Sequence, residues 1–210
     1  MLANVYVDGF NLYYGCLKGS SYKWLDLNAL SQTLLPGDDI HRIRYFTARI
    51  AARSENPSAH TRQDTYLRAL RTIPHLTVHL GRFQRTIARM PLARPAPGGP
   101  AIVEVIKTEE KRTDVNLASH LLSDAFDRDC DVAVMITNDS DLAEPVRLLR
   151  KKYGMPIGII NPCKGASCSR DLASVRPTFI KHIRASALRD AQFPDEIKDQ
   201  QGIITRPATW

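Results

Sequence analysis

Four carboxylates stand where one local pattern gives way to another in this chain, and they are the residues best placed to do chemistry. Asp139 and Asp141 follow the apolar run Val132–Ile136 through Thr137 and Asn138, with only Ser140 between them. Asp8 ends a first apolar run, Leu2–Val7, and Asp114 opens a helical pattern ahead of the second. A short uninterrupted apolar run reads as a strand buried on both faces, as in a parallel sheet covered by helices. Open α/β sheets bind ligands at the carboxyl ends of such strands. Acids gathered there repel one another unless a cation joins them. Oxygen-only ligands suit Mg²⁺ or Mn²⁺, which also bind phosphate oxygens directly. One or two such ions lower the pKa of a bound water and stabilise the leaving oxygen of an in-line displacement at phosphorus. Asn11, a turn after Asp8, could orient a water or a phosphate. Read singly, each acid has a structural explanation: Asp114 and Asp139 as helix caps, Asp8 as a turn former. Read together, three independent element ends offering acids to one edge favour a metal site. The acids Asp124, Asp127, Asp129 and Asp131 read instead as a solvated face around a helix end.

The elements that must position these groups can be read from periodicity. After the Leu2–Val7 strand, Gly9 lets the chain turn, and a helical turn begins at Leu12. Trp24, Leu27, Leu30, Leu34 and Leu35 recur at helical spacing behind a capping Asp26, and Pro36-Gly37 closes that helix. Ile40–Ile50 reads as a strand, Ala59–Thr72 as a helix after a polar loop (Ala52–Ser58), and His75–Gln84 as a strand with Leu76, Val78 and Leu80 turned inward. Residues 85–100 change character: Arg85, Arg89 and Arg94 lie amid Pro91, Pro95, Pro97, Gly98, Gly99 and Pro100. That pattern predicts a basic loop at the tip of a ribbon returning through Ile102–Thr108. Asp114–Phe126 reads as a helix burying Val115, Leu117, Ala118, Leu121, Leu122 and Ala125. Strands at Pro156–Ile160 and Val175–Ile180 follow, and the stretch 191–210 reads as a polar, loosely held tail. Strands alternating with helices predict an α/β domain over residues 1–190 with a central, mainly parallel sheet.

Composition narrows the class. With 210 residues and 43% hydrophobic content, one domain with a sizeable core is expected. A formal net charge of +7, from 29 Lys+Arg against 22 Asp+Glu, favours a polyanionic partner. No apolar stretch approaches a membrane span and the start lacks a signal-peptide pattern, so a cytoplasmic protein without a membrane partner is expected. Cys16, Cys130, Cys163 and Cys168 are scattered, as in a reduced protein, and no further soft ligands stand near Cys163 and Cys168 to complete a zinc site.

At the acids the chain resembles the NYN domains of the PIN-like ribonuclease superfamily, in the LabA-like and NicB-like branch. The resemblance is carried by Val7-Asp8-Gly9-Phe10-Asn11, then Lys111-Arg112-Thr113-Asp114-Val115-Asn116-Leu117-Ala118, then Ile136-Thr137-Asn138-Asp139-Ser140-Asp141-Leu142, and runs from Ala3 to about Asn161. It implies a PIN-like three-layer α/β/α sandwich and cleavage of RNA dependent on a divalent metal, Mg²⁺ or Mn²⁺. Carried across, the metal-binding and catalytic acids are Asp8, Asp114, Asp139 and Asp141, with Asn11 supporting. Arg82, Arg85, Arg89, Lys107, Lys111 and Arg112 are candidates for RNA phosphates, as are Arg94, Arg42, Arg44 and Arg53. Many relatives carry an acid two residues after the Leu-Ala pair, where this chain has Ser119-His120, and often Gly in place of Asn138. His120 is therefore either a substitute ligand or a peripheral residue. A weakened site would leave an RNA-binding or protein-interaction module on the same fold, and a homodimer is compatible with the class. A dehalogenase-type phosphatase would need Asp-x-Asp after the first strand, and a Toprim nuclease Glu in place of Asp8. The sequence has neither.

Overall fold

The structure is a computed structural model, and it describes residues 1–51, 57–163, 165 and 167–210. Its centre is β1 (Leu2–Asp8), a strand in which every residue after Leu2 is buried. Parallel neighbours cover both of its edges: β2 (Asp39–Ala48) on one side and β5 (Val132–Ile136) on the other. Beyond β2 lie β3 (Leu76–Pro91) and the antiparallel β4 (Ile102–Lys111). Beyond β5 lie β6 (Ile157–Asn161) and β7 (Phe179–His182). The seven-stranded order is thus β4-β3-β2-β1-β5-β6-β7. The chain leaves β1 through a short helix, α1 (Gly9–Leu12), toward one edge and returns at β5 to build the other. This makes the gap between the ends of β1 and β5 the topological switch point of the sheet.

Period-two alternation sorts the side chains of these strands between two cores. Val5, Val7, Val134 and Ile136 face a core built with α2 (Leu27–Leu34), α3 (Ala59–Leu70) and α7 (Ala185–Asp190). Tyr6, Ala133 and Met135 face a second core, filled by Leu117 and Leu121 of α4 (Thr113–Asp127), by Val146 of α5 (Ala143–Leu148) and by Leu172 of α6 (Arg170–Ser174). Helices therefore cover both faces, giving the expected three-layer α/β/α sandwich. The same alternation places Asp8, two residues after Tyr6, on the α4 side.

Several local expectations are corrected. The tract read as a loop over 85–100 begins as strand: β3 continues to Pro91 and pairs with β4 from Arg82↔Lys111 to Pro91↔Ile102, which leaves residues 92–100 as the turn at the tip. Cross-strand pairing outweighs the local composition, and Pro91 is tolerated at the strand's end. Leu80 is 38% exposed and Val115 is 68% exposed, so neither belongs to the core. Trp24 and Leu35 flank α2 rather than lying in it, while Asp26 caps it, accepting from the N–H groups of Asn28 and Ala29. The last strand of the sheet begins at Phe179, because residues 170–174 form α6.

The stretch after residue 190 is not a loose tail. It forms a hairpin of β8 (Glu196–Asp199) and β9 (Gly202–Thr205). Phe193 and Ile204 are buried in the first core, and Trp210 packs on Trp24 and Tyr66. Arg68 of α3 holds Asp199 with a forked pair of bonds at 2.7 and 2.5 Å. A mostly polar composition hid three well-spaced apolar anchors.

Gly9 is small for a different reason than turning. A Cβ there would meet the Phe46 carbonyl oxygen at 2.7 Å and the Tyr45 ring at 2.8 Å. The residue lets β2 approach the end of β1, where the acids sit.

Candidate metal centre

Three acids arrive at one point from three elements. Asp8 ends β1, Asp114 stands in the first turn of α4, and Asp139 caps the 3-10 turn Ser140–Leu142 that follows β5. Each offers one carboxylate oxygen, and the three oxygens lie within 4.8 Å of one another. Asp8 is buried, and Asp114 and Asp139 are half-buried. The recess they share has a volume of about 250 Å³ and is lined by Asp8, Phe10, Asn11, Tyr14, Phe83, Glu110, Asp114 and Asp139. None of those lining residues is basic.

Hydrogen bonds hold Asp8 and Asp139 in place. Asp8 accepts from the Asn11 N–H at 2.9 Å and from the Thr137 hydroxyl at 3.0 Å. The same hydroxyl accepts from the Asp139 N–H at 3.1 Å, so Thr137 ties two of the acids together. Asp139 in turn accepts from the N–H of Asp141 at 3.0 Å. Asn11 accepts from the N–H of Asn138 at 2.9 Å, which locks the end of β1 to the loop after β5. Asn138, where many relatives have glycine, uses its side chain to hold the backbone at Ser167 and Ser169.

The electrostatics of the recess follow from geometry. Burial pushes the Asp8 carboxyl up to about 6; the hydrogen bonds from Asn11 and Thr137 oppose that rise, and the charges of Asp114 and Asp139 add to it. Asp114 is also raised, first by burial and then by Asp139, Glu110 and Asp141. Carboxylates held together without a counter-charge store repulsion that a cation would relieve. Hard oxygen donors from three rigid element ends fit a divalent cation, and the helix N-terminus under Asp114 does not neutralise three charges.

The remaining sequence candidates separate clearly. Asp141 is exposed and lies outside the triad. His120 does not join it either: its ring sits 4.1 Å from that of His79 and 5.9 Å from that of Phe46. Burial pushes His79 down to about 4, with His120 and Arg44 acting in the same direction. Arg44 and Arg42 are committed inward, gripping Asp124 and Asp129 respectively with forked hydrogen bonds. Asp124 is thus a buried ion-pair partner rather than part of a solvated face, and it also accepts from the Tyr6 hydroxyl at 2.7 Å. Arg53 lies outside the described residues.

The ribbon's basic residues divide between two faces. Residues directly opposite in an antiparallel pair share a face, and successive residues alternate. Phe83 pairs with Glu110, both line the recess, and Arg85 and Arg89 share their parity. Arg82, paired with Lys111, and Thr86, paired with Lys107, mark the opposite face. Lys107 and Lys111 also pair with Glu109 on that side. Arg112 is exposed, at the N-cap of α4, with a left-handed φ of 84°.

Sequence reasoning missed Glu110, Thr137 and the aromatic rim of Phe10, Tyr14 and Phe83. Glu110 accepts from both the N–H and the hydroxyl of Thr113. The spacing Glu110-x-x-Thr113 was the available signal. Gly81 makes room for it, since a Cβ there would lie 2.5 Å from the Glu110 carboxylate and 2.6 Å from the Thr113 hydroxyl.

A mainly parallel sandwich with an acidic triad at its switch point defines the PIN-like class. Within that class the chain belongs to the NYN domain family, whose sequence profile matches residues 3–184. Proteins of this family are usually nucleases. The chain is also 31% identical to the 6-hydroxy-3-succinoylpyridine 3-monooxygenase HspA of Pseudomonas putida, over 98% of this chain and 74% of that protein. A solved structure of a protein of unknown function from Vibrio parahaemolyticus shares the fold, with a TM-score of 0.57 at 15% identity, over 91% of this chain and 95% of that one. Among the described residues no helix is long and apolar enough to cross a membrane.

Proposed function

We propose that the protein is a divalent-metal-dependent endoribonuclease that hydrolyses RNA phosphodiester bonds with water, acting in the cytoplasm. The observation that carries this reading is three carboxylates from three elements, with their oxygens within 4.8 Å and, among the described residues, no basic side chain lining their recess. Asp8, Asp114 and Asp139 would hold Mg²⁺ or Mn²⁺. A cation bound there supplies Lewis acidity and a water that ionises near neutral pH.

The chain's own groups supply the rest. Thr137 keeps Asp8 and Asp139 in one geometry, so the site loses little entropy on loading. Asn11 has spent its side-chain oxygen on Asn138, leaving its NH₂ to donate to a phosphate oxygen. Glu110, the fourth acid on the recess, is placed to accept a proton from the attacking water. Asp141 stays outside and adds negative potential that favours loading. The test is cleavage of mixed-sequence single-stranded RNA in Mn²⁺. Asp139→Asn should lose activity at least about 100-fold while retaining its melting temperature and RNA affinity. Undiminished cleavage by that variant, or by wild type in chelator, would sink the mechanism. RNA binding without cleavage would leave an RNA-binding module.

The relative from Pseudomonas favours a second reading, because its name describes ring oxygenation of a pyridine and its identity runs over nearly this whole chain. Oxygen uptake with 6-hydroxy-3-succinoylpyridine and a supplied reductant, set against RNA cleavage by the same preparation, separates the two.

A further inference from the structure

A second and larger cavity, of about 680 Å³, opens beside the acidic recess. Phe10, Tyr14 and Phe83 line both, so the two spaces meet across an aromatic threshold. Phe10 and Phe83 meet edge to face at 5.6 Å, and Tyr14 presents 64% of its surface. Tyr13, Tyr45, Tyr66 and Trp210 continue the aromatic lining of the large cavity. The charge reverses at the threshold. Among the described lining residues, the small recess has acids and no bases, whereas the large cavity carries Lys23 and Arg62 and no acid. Its size is that of a pocket for a small organic ligand.

Aromatic walls with hydroxyls at Thr47 and Thr108 suit a planar heteroaromatic ring with polar edges. Lys23 and Arg62 line only the large cavity, so they suit a second anion, the flanking phosphate on the side away from the triad. A ring in the large cavity with its anion toward the triad is the arrangement of a nucleotide whose base has left the stack. Resting on the ribonuclease reading, we propose that this cavity receives one unpaired nucleobase of the RNA strand and thereby sets the phosphate next to it against the acidic triad. The substrate class is then single-stranded RNA: a duplex must first surrender a base, at a cost of a few kcal/mol. Stacking on aromatic side chains tolerates any base, so the cavity selects for an unpaired base more than for its identity.

The experiment compares three substrates in Mn²⁺ with the full chain: a single-stranded RNA oligomer, the same oligomer with bases removed one position at a time, and its duplex. Phe83→Ala and Tyr14→Ala are tested beside Phe126→Ala, an exposed residue at the far end of α4 that lines neither space. Removing the base next to the cleaved bond should raise KM about tenfold or more and leave kcat within a few-fold. Phe83→Ala and Tyr14→Ala should raise KM similarly on intact RNA and have no further effect on the abasic strand. Phe126→Ala should change neither. Tyr14 is mostly exposed, so its variant should fold even if Phe83→Ala does not. Equal losses on intact and abasic RNA, or duplex cut as fast as single strand, would overturn the base slot and leave the nuclease reading standing. Should wild type cleave no RNA, binding of adenosine 5′-monophosphate, read by Trp210 fluorescence and lost in Phe83→Ala, would support the slot without the nuclease. Binding of 6-hydroxy-3-succinoylpyridine but not of the nucleotide would overturn it.

Discussion

The helix α4 carries an acid near each end, and the two live in opposite electrostatic worlds. Asp114, in its first turn, meets Asp8, Asp139 and Glu110 and, among the described residues, no cation. Asp124, in its last turn, meets the Arg44 guanidinium at 2.6 and 2.8 Å and the Tyr6 hydroxyl at 2.7 Å. The helix dipole favours an acid at the first position and disfavours one at the second. The chain nevertheless supplies a counter-charge only where the dipole is adverse. At the other end it withholds one and adds further acids. A buried carboxylate with an internal partner is part of the scaffold, whereas a cluster of carboxylates without one is built for a partner from solution.

The scaffold side of that contrast should give the largest effect. Arg44 and Asp124 are both nearly sequestered, with side chains 11% and 7% exposed. Removing one member strands the other charge in a core lined by Tyr6, Phe46 and Leu121. Arg44→Ala or Asp124→Ala should cost roughly 3 to 5 kcal/mol of unfolding free energy, read as a lowered urea midpoint at unchanged slope. Asp114→Asn at the other end should cost almost nothing. Equal costs at the two ends would dissolve the distinction.

How much of this was legible beforehand depends on whether the signal was local. Periodicity located β1, β5 and α4 almost to the residue, because an apolar run bounded by charges leaves few alternatives. The triad was legible because its three acids fall at element ends, each within a short motif. What failed was pairing between distant segments. That Asp124 meets Arg44, eighty positions away, depends on which face of α4 lies over β2, and spacing alone does not encode that. The hairpin after residue 190 was missed for the same reason: Phe193, Ile204 and Trp210 look unremarkable until Trp24 and Tyr66 are seen beneath them. The ribbon was placed correctly, but which of its arginines share a face with Phe83 follows only from the β3–β4 register.

The next effect sharpens the triad side and turns on pH. With its folded pKa raised to about 6 by burial and like charge, Asp8 binds a proton more tightly in the folded than in the unfolded chain. The folded state therefore holds more protons between the two values, and stability must fall as pH rises through that window. In chelator the protein should lose about 2 kcal/mol between pH 4 and pH 7 through this group. Mn²⁺ should restore that loss above pH 6 and do little below pH 5, where the proton occupies its ligand. Asp8→Asn should flatten the chelator profile and abolish the Mn²⁺ response. Thermal or urea unfolding across pH, with and without Mn²⁺, reads both. An Mn²⁺ response that survives in Asp8→Asn would remove Asp8 from the site.

The smallest effect extends the same rule to basic residues. Arg42 and Arg44 already have internal acids, so they are withdrawn from any phosphate. Lys107 and Lys111 pair with Glu109 on the face of the ribbon turned away from Phe83. Arg85 and Arg89 form no salt bridge among the described residues, are exposed, and share the Phe83 face that leads to the triad. A single RNA backbone crossing that face could meet both of them, and could not meet Arg82 or Lys107 at the same time. Arg85→Ala and Arg89→Ala should each weaken RNA binding for all sequences alike and lower the salt slope by roughly one unit. Arg82→Ala and Lys107→Ala should leave slope and affinity within error. Fluorescence anisotropy of a labelled RNA across a salt series separates the two faces. Equal losses from both would mean that the ribbon acts as a diffuse positive arm, and that strand parity does not decide what the strand touches.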